Sequence, residues 1–304
     1  MAARKQHVVP YFYLKEFFPG FIYRKGEQSP RFTKKPSSIS VRTDYYGKPN
    51  DSLILPLDKF NSLVESETAP IIKRLINNEI ATISHRDWII LSYFFANMQI
   101  RNPSYHKSLR NTFRQLTNQI NEMVERMKES YEKAKAEGKE FHIPERPKFL
   151  DEKGYSLEEV NKSMQELETK NGHIKIAENL YLHVKDIASY IQKMSLHVIE
   201  ATGGLFFVTT DTPLVLYSLS SGTPVGAGWA NQDAMAMIPI HPKKCLVLAY
   251  RGKPAIYSNT ITANDVHLWN VNLMKYASHE VYSKHSYDIA LDWMLKRGMW
   301  SNMK

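Results

Sequence analysis

The stretch Gly204–Tyr217 limits the fold of this chain more than any other. Leu205–Val208 and Leu214–Tyr217 read as two short buried strands, rich in residues that favour pleated structure. Between them Thr209-Thr210-Asp211-Thr212-Pro213 makes a polar turn, and Pro213 presses Thr212 toward extended geometry. Asp211 is therefore expected at the end of a core strand, where a rigid scaffold can aim a carboxylate into a cleft. The competing reading is an Asx-turn, in which the carboxylate serves nearby backbone N–H groups.

The elements around this stretch predict a mixed fold. His7 stands before a short helix opened by Pro10, with Tyr13, Leu14 and Phe17 on one face. The positive end of that helix would keep the His7 imidazole neutral, as suits a base or a metal ligand, the alternative being a histidine that only hydrogen-bonds neighbouring backbone. Gly20–Gly26 and Pro30–Thr33 read as a hairpin, and Val41–Tyr46 as a further short element. Leu57–Asn78 is a helix with Leu63, Ile71, Ile72 and Leu75 as core positions, and Pro70 is expected to kink it. Ser84 and Asp87 form a capping box before the apolar helix Trp88–Arg101, where Arg101 is expected to snorkel to solvent rather than point into a polar pocket. Leu109, Phe113, Leu116, Ile120, Met123, Met127 and Tyr131 mark a coiled-coil-like seam on a helix over Tyr105–Gly138. A second amphipathic segment, from Ser156, folds back on it, and Ile174–Glu200 returns to the body as a helix. Met235–Ile240 and Cys245–Tyr250 pair as strands. Thr262–Ala277 is a helix capped by Thr262 or Asn264, Glu280–Ser283 a final strand, and Tyr287–Met299 a closing helix. The expected class is α+β: a mainly helical body on a small antiparallel sheet, with a long helical hairpin inserted. We read 1–304 as a single domain carrying an arm over 103–170.

Composition narrows the function by exclusion. No apolar run approaches the ~20 residues of a membrane span, and the N-terminus lacks the hydrophobic core of a secretory leader, so the cytoplasm is expected. The one cysteine, Cys245, excludes an internal disulfide framework and reads as an inert core thiol. The glycine-rich segment at 222–228 lacks dinucleotide-binding spacing, and P-loop, nucleophile-elbow, zincin and EF-hand motifs are absent. The net charge is +9, and residues 1–50 hold ten Lys/Arg against three acids. A basic segment interleaved with Tyr11, Phe12, Tyr13, Phe21, Tyr23 and Phe32 could follow a phosphate backbone and stack bases, or simply be a solvated face over core aromatics.

The opening His7-Val-Val-Pro10-Tyr-Phe-Tyr13-Leu14-Lys-Glu-Phe17, the Glu-containing helix at Val64–Pro70 and the apolar helix ending at Arg101 resemble a bacterial family of domains of unknown function, the one numbered 4238. Thr209–Pro213 stands where that family has Thr-Ser-Asp-Asn-Pro, and Pro239–Pro242 where it has Pro-Leu-Ser-Pro. The resemblance spans nearly the whole chain and draws out His7, Tyr46, Glu65, Arg101, Asp211 and Asn270.

If they converge, His7, Glu65, Arg101 and Asp211 are candidates for catalysis, and Glu65 and Asp211 for holding Mg²⁺ or Mn²⁺. In a metal-free version His7 is the general base and Arg101 an electrostatic clamp. Tyr46, Asn270, Arg4 and Lys5 are candidate substrate contacts. The alternative is a buried network, Glu65–Arg101 and His7–Asp211, that only ties the fold together. The leading expectation is a nuclease acting on RNA or DNA, such as a toxin or phage-defence effector. The others are a non-catalytic module that binds nucleic acid or protein, and an enzyme of nucleotides or small phosphorylated molecules. The arm is expected to mediate self-association or partner contact, and no membrane partner is expected.

Overall fold

The structure, a computed structural model, describes residues 5–24, 30–33, 35–43, 45, 54–140, 162, 181–220, 228–252 and 254–285. Tyr46, Arg4, the second limb of the expected arm, the glycine-rich segment up to 227 and the expected closing helix lie outside the described residues. The chain divides into two compact units, one of residues 1–104 with 177–304 and one of 105–176. Among the described residues no helix is long and apolar enough to cross a membrane.

The first unit is built on a five-stranded sheet. Its strands are β5 (Ser195–Ala201), β7 (Val215–Ser218), β8 (Ala234–His241), β9 (Lys244–Ala249) and β10 (Ile256–Ile261), in the order β10-β5-β9-β8-β7. Every neighbouring pair is antiparallel except β10 with β5, which is parallel from Ile256↔Leu196 to Ile261↔Ala201. The sheet is covered on both faces, which is why β9 reads as an unbroken apolar run. Leu196, Val198, Ala236, Ile238, Leu246 and Leu248 face one core, shared with the helices α2 (Ile54–Ile76), α3 (His85–Ile100) and α5 (Val184–Ile191). Their strand neighbours Ile199, Met237, Cys245 and Val247 face the other, against α6 (Ala263–Tyr276). Cys245 is fully buried there, and burial pushes its thiol pKa up, as an inert core cysteine requires.

A second sheet joins the ends of the chain. Its order is β3-β2-β11-β6, with β2 Gly20–Arg24, β3 Arg31–Thr33, β6 Thr209–Thr210 and β11 Glu280–Ser283, all antiparallel. At Gly20 a Cβ would lie 2.5 Å from the carbonyl oxygens of Phe17 and Ser283, so only glycine lets β2 enter here. A two-stranded ladder pairs β1 (Lys5–His7) with β4 (Val41–Thr43) and sets His7 opposite Val41. The short α1 (Tyr11–Leu14) follows and buries Tyr13 and Leu14.

The class is α+β, with the hairpin, the β8–β9 pair, β11 and the Ser84–Asp87 capping box where the residues place them. Thr262, rather than Asn264, is the cap of α6. Four local expectations are corrected. The helix expected to run to Glu200 stops at Ile191, and Ser195–Ala201 becomes a central strand; its β-branched Val198 and Ile199 sit in the two opposite cores. The strand expected at Leu205–Val208 moves to Thr209–Thr210, because the Val208 N–H is taken by the Asn270 side chain rather than by a neighbouring strand. In α2, Val64 rather than Leu63 faces the core, Leu63 being 60% exposed, and the helix runs on through Pro70. Arg101 does not snorkel.

In the second unit the described part is α4, which begins at Pro103 and runs to Ala136. Met123 and Tyr131, expected in a covered seam, are exposed, and neighbouring turns carry the pairs Arg126–Glu122 and Lys128–Glu125.

Candidate functional site

Three distant segments meet at Arg101. The side chain is only 5% exposed, at the C-cap of α3, and its guanidinium makes a 2.5 Å ion pair with Glu65. A second nitrogen donates to the main-chain carbonyl oxygen of His7. The Tyr45 hydroxyl donates to the Arg101 carbonyl oxygen at 3.4 Å. A planar fork suits this task, because it can hold a carboxylate and a carbonyl in two fixed directions. Arg101 thus ties α3 to α2 and pins the backbone on which His7 is carried.

His7 is half-buried, and its pKa is lowered by burial and by the positive charge of Arg101, against a smaller opposite pull from Glu65 and the Ile39 backbone. Burial and Arg101, rather than a helix dipole, are what disfavour the protonated imidazole. Its Nδ1 is buried with no hydrogen-bond partner among the described residues.

The polar character extends along both helices. Asn61 and Thr68 lie one turn to either side of Glu65 on α2, and Asn97 lies one turn before Arg101 on α3. All three are at most 5% exposed. Asn61 Oδ1, Thr68 Oγ1 and Asn97 Oδ1 have no hydrogen-bond partner among the described residues. Each such group disfavours the folded state by about 1–3 kcal/mol, so a run of them along one helix pair is a poor way to build a core. The residue pattern contains the signal: Asn97 interrupts an otherwise apolar helix, and Asn61 and Thr68 repeat at core spacing.

Asp211 and Asn270 form a different kind of centre. The two carboxylate oxygens of Asp211 accept the backbone N–H groups of Ser278 and His279, each at 2.9 Å. Burial pushes its pKa up to about 6, resisted by these backbone donors. Asn270 accepts from Val208 N–H at 3.0 Å and donates to the Phe206 carbonyl at 2.8 Å. Both side chains hold the 206–211 segment against the region from α6 to β11. The capping reading of Asp211 is thus realised across the fold instead of within its own turn. The charges that act on Asp211 and on His7 are different ones, Glu280 for the first and Arg101 with Glu65 for the second. Lys5 is exposed at the start of β1.

The expected metal ligands do not fit a divalent ion. Glu65 is committed to Arg101 and Asp211 to two N–H donors, and no group of three His, Cys, Asp or Glu among the described residues is placed to hold a metal. A second arrangement has the order of a nucleophilic triad but not its protons. Ser195 Oγ lies 3.1 Å from His197 Nε2, and His197 Nδ1 lies 3.2 Å from the Asn259 amide nitrogen. Ser195 gives its one proton to the Ala249 carbonyl at 2.9 Å, so Nε2 must carry hydrogen and cannot take another. Fully buried, Ser195 is a structural hydroxyl.

An α+β fold with a polar centre where its first strand meets two helices defines the class of protein. The chain belongs to the family described as "Protein of unknown function (DUF4238)", which matches residues 5–286. No curated protein and no solved structure matches it.

Proposed function

We propose that this protein is a phosphodiester-cleaving hydrolase of RNA or DNA that works without a metal, with His7 as general base. The observation that carries the reading is the convergence of His7, Glu65 and Arg101 from three distant segments, with an imidazole whose protonation burial and Arg101 disfavour at their meeting point. His7 would take the proton of the attacking water or hydroxyl as the phosphorus–oxygen bond to the leaving group breaks, and solvent would return a proton to the leaving oxygen. Arg101 and Glu65 act through His7 as positioning residues. A cleaving activity of this kind would suit a toxin or phage-defence effector.

The test is cleavage of labelled RNA and DNA in EDTA by wild-type protein and His7→Ala, with folding checked by circular dichroism. The expected result is activity that survives EDTA, rises with pH through an apparent value below that of an ordinary histidine, and falls by about 10²–10⁴ in the variant. Equal activity in folded His7→Ala refutes the assignment. Turnover of mononucleotides alone moves the reading to an enzyme of small phosphorylated molecules.

A non-catalytic binding module is the second reading. It is favoured by Asp211 and Asn270, whose side chains serve the main chain. Binding with no cleavage under any condition would establish it.

A further inference from the structure

Outside the His7 centre, lysines gather between the β8–β9 turn and the N-terminal helical turn. His241 lies within electrostatic reach of Lys243, Lys244 and Lys284, with Glu200 as the opposing charge. Glu16 lies within reach of Lys284, Lys15 and Lys73. Lys284 belongs to both groups, so five lysines form one band around two carboxylates. Lys244 is internal, paired with Glu200 at 3.6 Å, which takes much of that carboxylate's charge out of the count. Lys15 and Lys73 are exposed, and Lys243 and Lys284 partly so.

One end of the band carries a ring platform. The Lys243 ammonium lies 4.1 Å from the centroid of Phe206, held there by the carbonyl of Gly203 at 2.8 Å. His285 packs on Phe206 with ring centroids 4.1 Å apart, and is itself exposed. Asn270 fixes the Phe206 backbone, so the platform rests on a held segment. Lysines that track phosphates beside an exposed ring are the two components of single-strand recognition. A duplex keeps its bases stacked and would leave the ring unused.

We infer that this band binds the phosphate backbone of a single-stranded nucleic acid, with one base stacked on the His285–Phe206 ring pair. The surface shares no residue with the His7 centre, and binding needs no cleavage.

The experiment measures fluorescence anisotropy of labelled single strands of about 12 nucleotides, long enough for one site of this kind. RNA and DNA are titrated over a range of salt with His7→Ala protein, so that no strand is cut during the reading. This parent is compared with the same protein carrying Lys73→Gln/Lys284→Gln, His285→Ala, or a charge-matched control on α4, Lys128→Gln/Lys133→Gln. The expected result is binding that weakens with salt. The Lys73/Lys284 double variant should bind roughly tenfold more weakly, with its log–log salt slope smaller by about 1.4, since each phosphate contact on a single strand contributes about 0.7. His285→Ala should weaken binding by roughly fivefold or more. The α4 control should bind as the His7→Ala parent. Absence of binding, an equal loss in the control, or a duplex bound as tightly as the single strand overturns the proposal. Binding is read without cleavage, so loss of the cleavage assignment would leave this surface standing.

Discussion

Replacing Glu65 by Gln tests whether the centre is held by charge. The substitution keeps the side-chain shape but leaves the Arg101 guanidinium, 5% exposed, without its carboxylate. Breaking a fully buried pair costs about 3–5 kcal/mol. Glu65 is 25% exposed, so water reaches the pair and lowers the expected loss to about 2–3 kcal/mol. For a unit of this size each kcal/mol moves Tm by about 2–4 °C, giving a fall of roughly 4–12 °C. Arg101→Met should lose more, because it strands both a carboxylate and the His7 carbonyl that the guanidinium now satisfies. Urea unfolding followed by tryptophan fluorescence gives both values, and Trp88 on α3 supplies a reporter in the same helix as Arg101. The double variant Glu65→Leu/Arg101→Met closes the cycle. It should lose less than the sum of the single losses, with a coupling of about 1–3 kcal/mol. If Glu65→Gln stays within about 0.5 kcal/mol of wild type, the ion pair is not what positions His7, and the account of the site fails.

Two further outcomes follow from the second centre. Asp211 has a folded pKa raised to about 6, so its contribution to stability is fully present below its unfolded value and is lost as pH rises through 6. The stability of wild type relative to Asp211→Asn should therefore decline by about 3 kcal/mol between about pH 4 and 7, at about 1.4 kcal/mol for each pH unit that separates the folded and unfolded values; a pH-independent difference refutes this. Asn270→Ala strands the Val208 N–H and the Phe206 carbonyl in the interior and should cost about 2–4 kcal/mol in chemical denaturation, whereas a loss below about 1 kcal/mol would show that water replaces the amide.

Local chemistry makes several elements readable. Ser84 with Asp87 announces one helix and Thr262 another, because a cap is a contact between near neighbours. The β8–β9 pair is likewise adjacent in sequence, so its turn and apolar runs suffice. The segment Ser195–Ala201 is not readable in this way, because its strand conformation is imposed by β9 on one side and β10 on the other, both far along the chain. At the site, residue type leads to His7, Glu65 and Arg101, yet it does not separate them from Asp211. A carboxylate that pairs with a guanidinium and one that caps backbone N–H groups have the same side-chain chemistry, and only the partner distinguishes them. Asn61, Thr68 and Asn97 are easily passed over because a polar residue becomes informative only once its position is known to face inward.

The position of β11 has a consequence for how the chain is made. The strand completes a sheet whose other principal member, β2, leaves the ribosome well before it: Arg24 and its partner Glu280 are 256 residues apart. At about 5–20 residues per second, the β2–β3 hairpin waits on the order of 10–50 s with one edge unpaired. During that interval its open backbone is a template for any other extended strand, including the same hairpin on a neighbouring nascent chain. That open edge is where a chaperone's cover would act while synthesis proceeds.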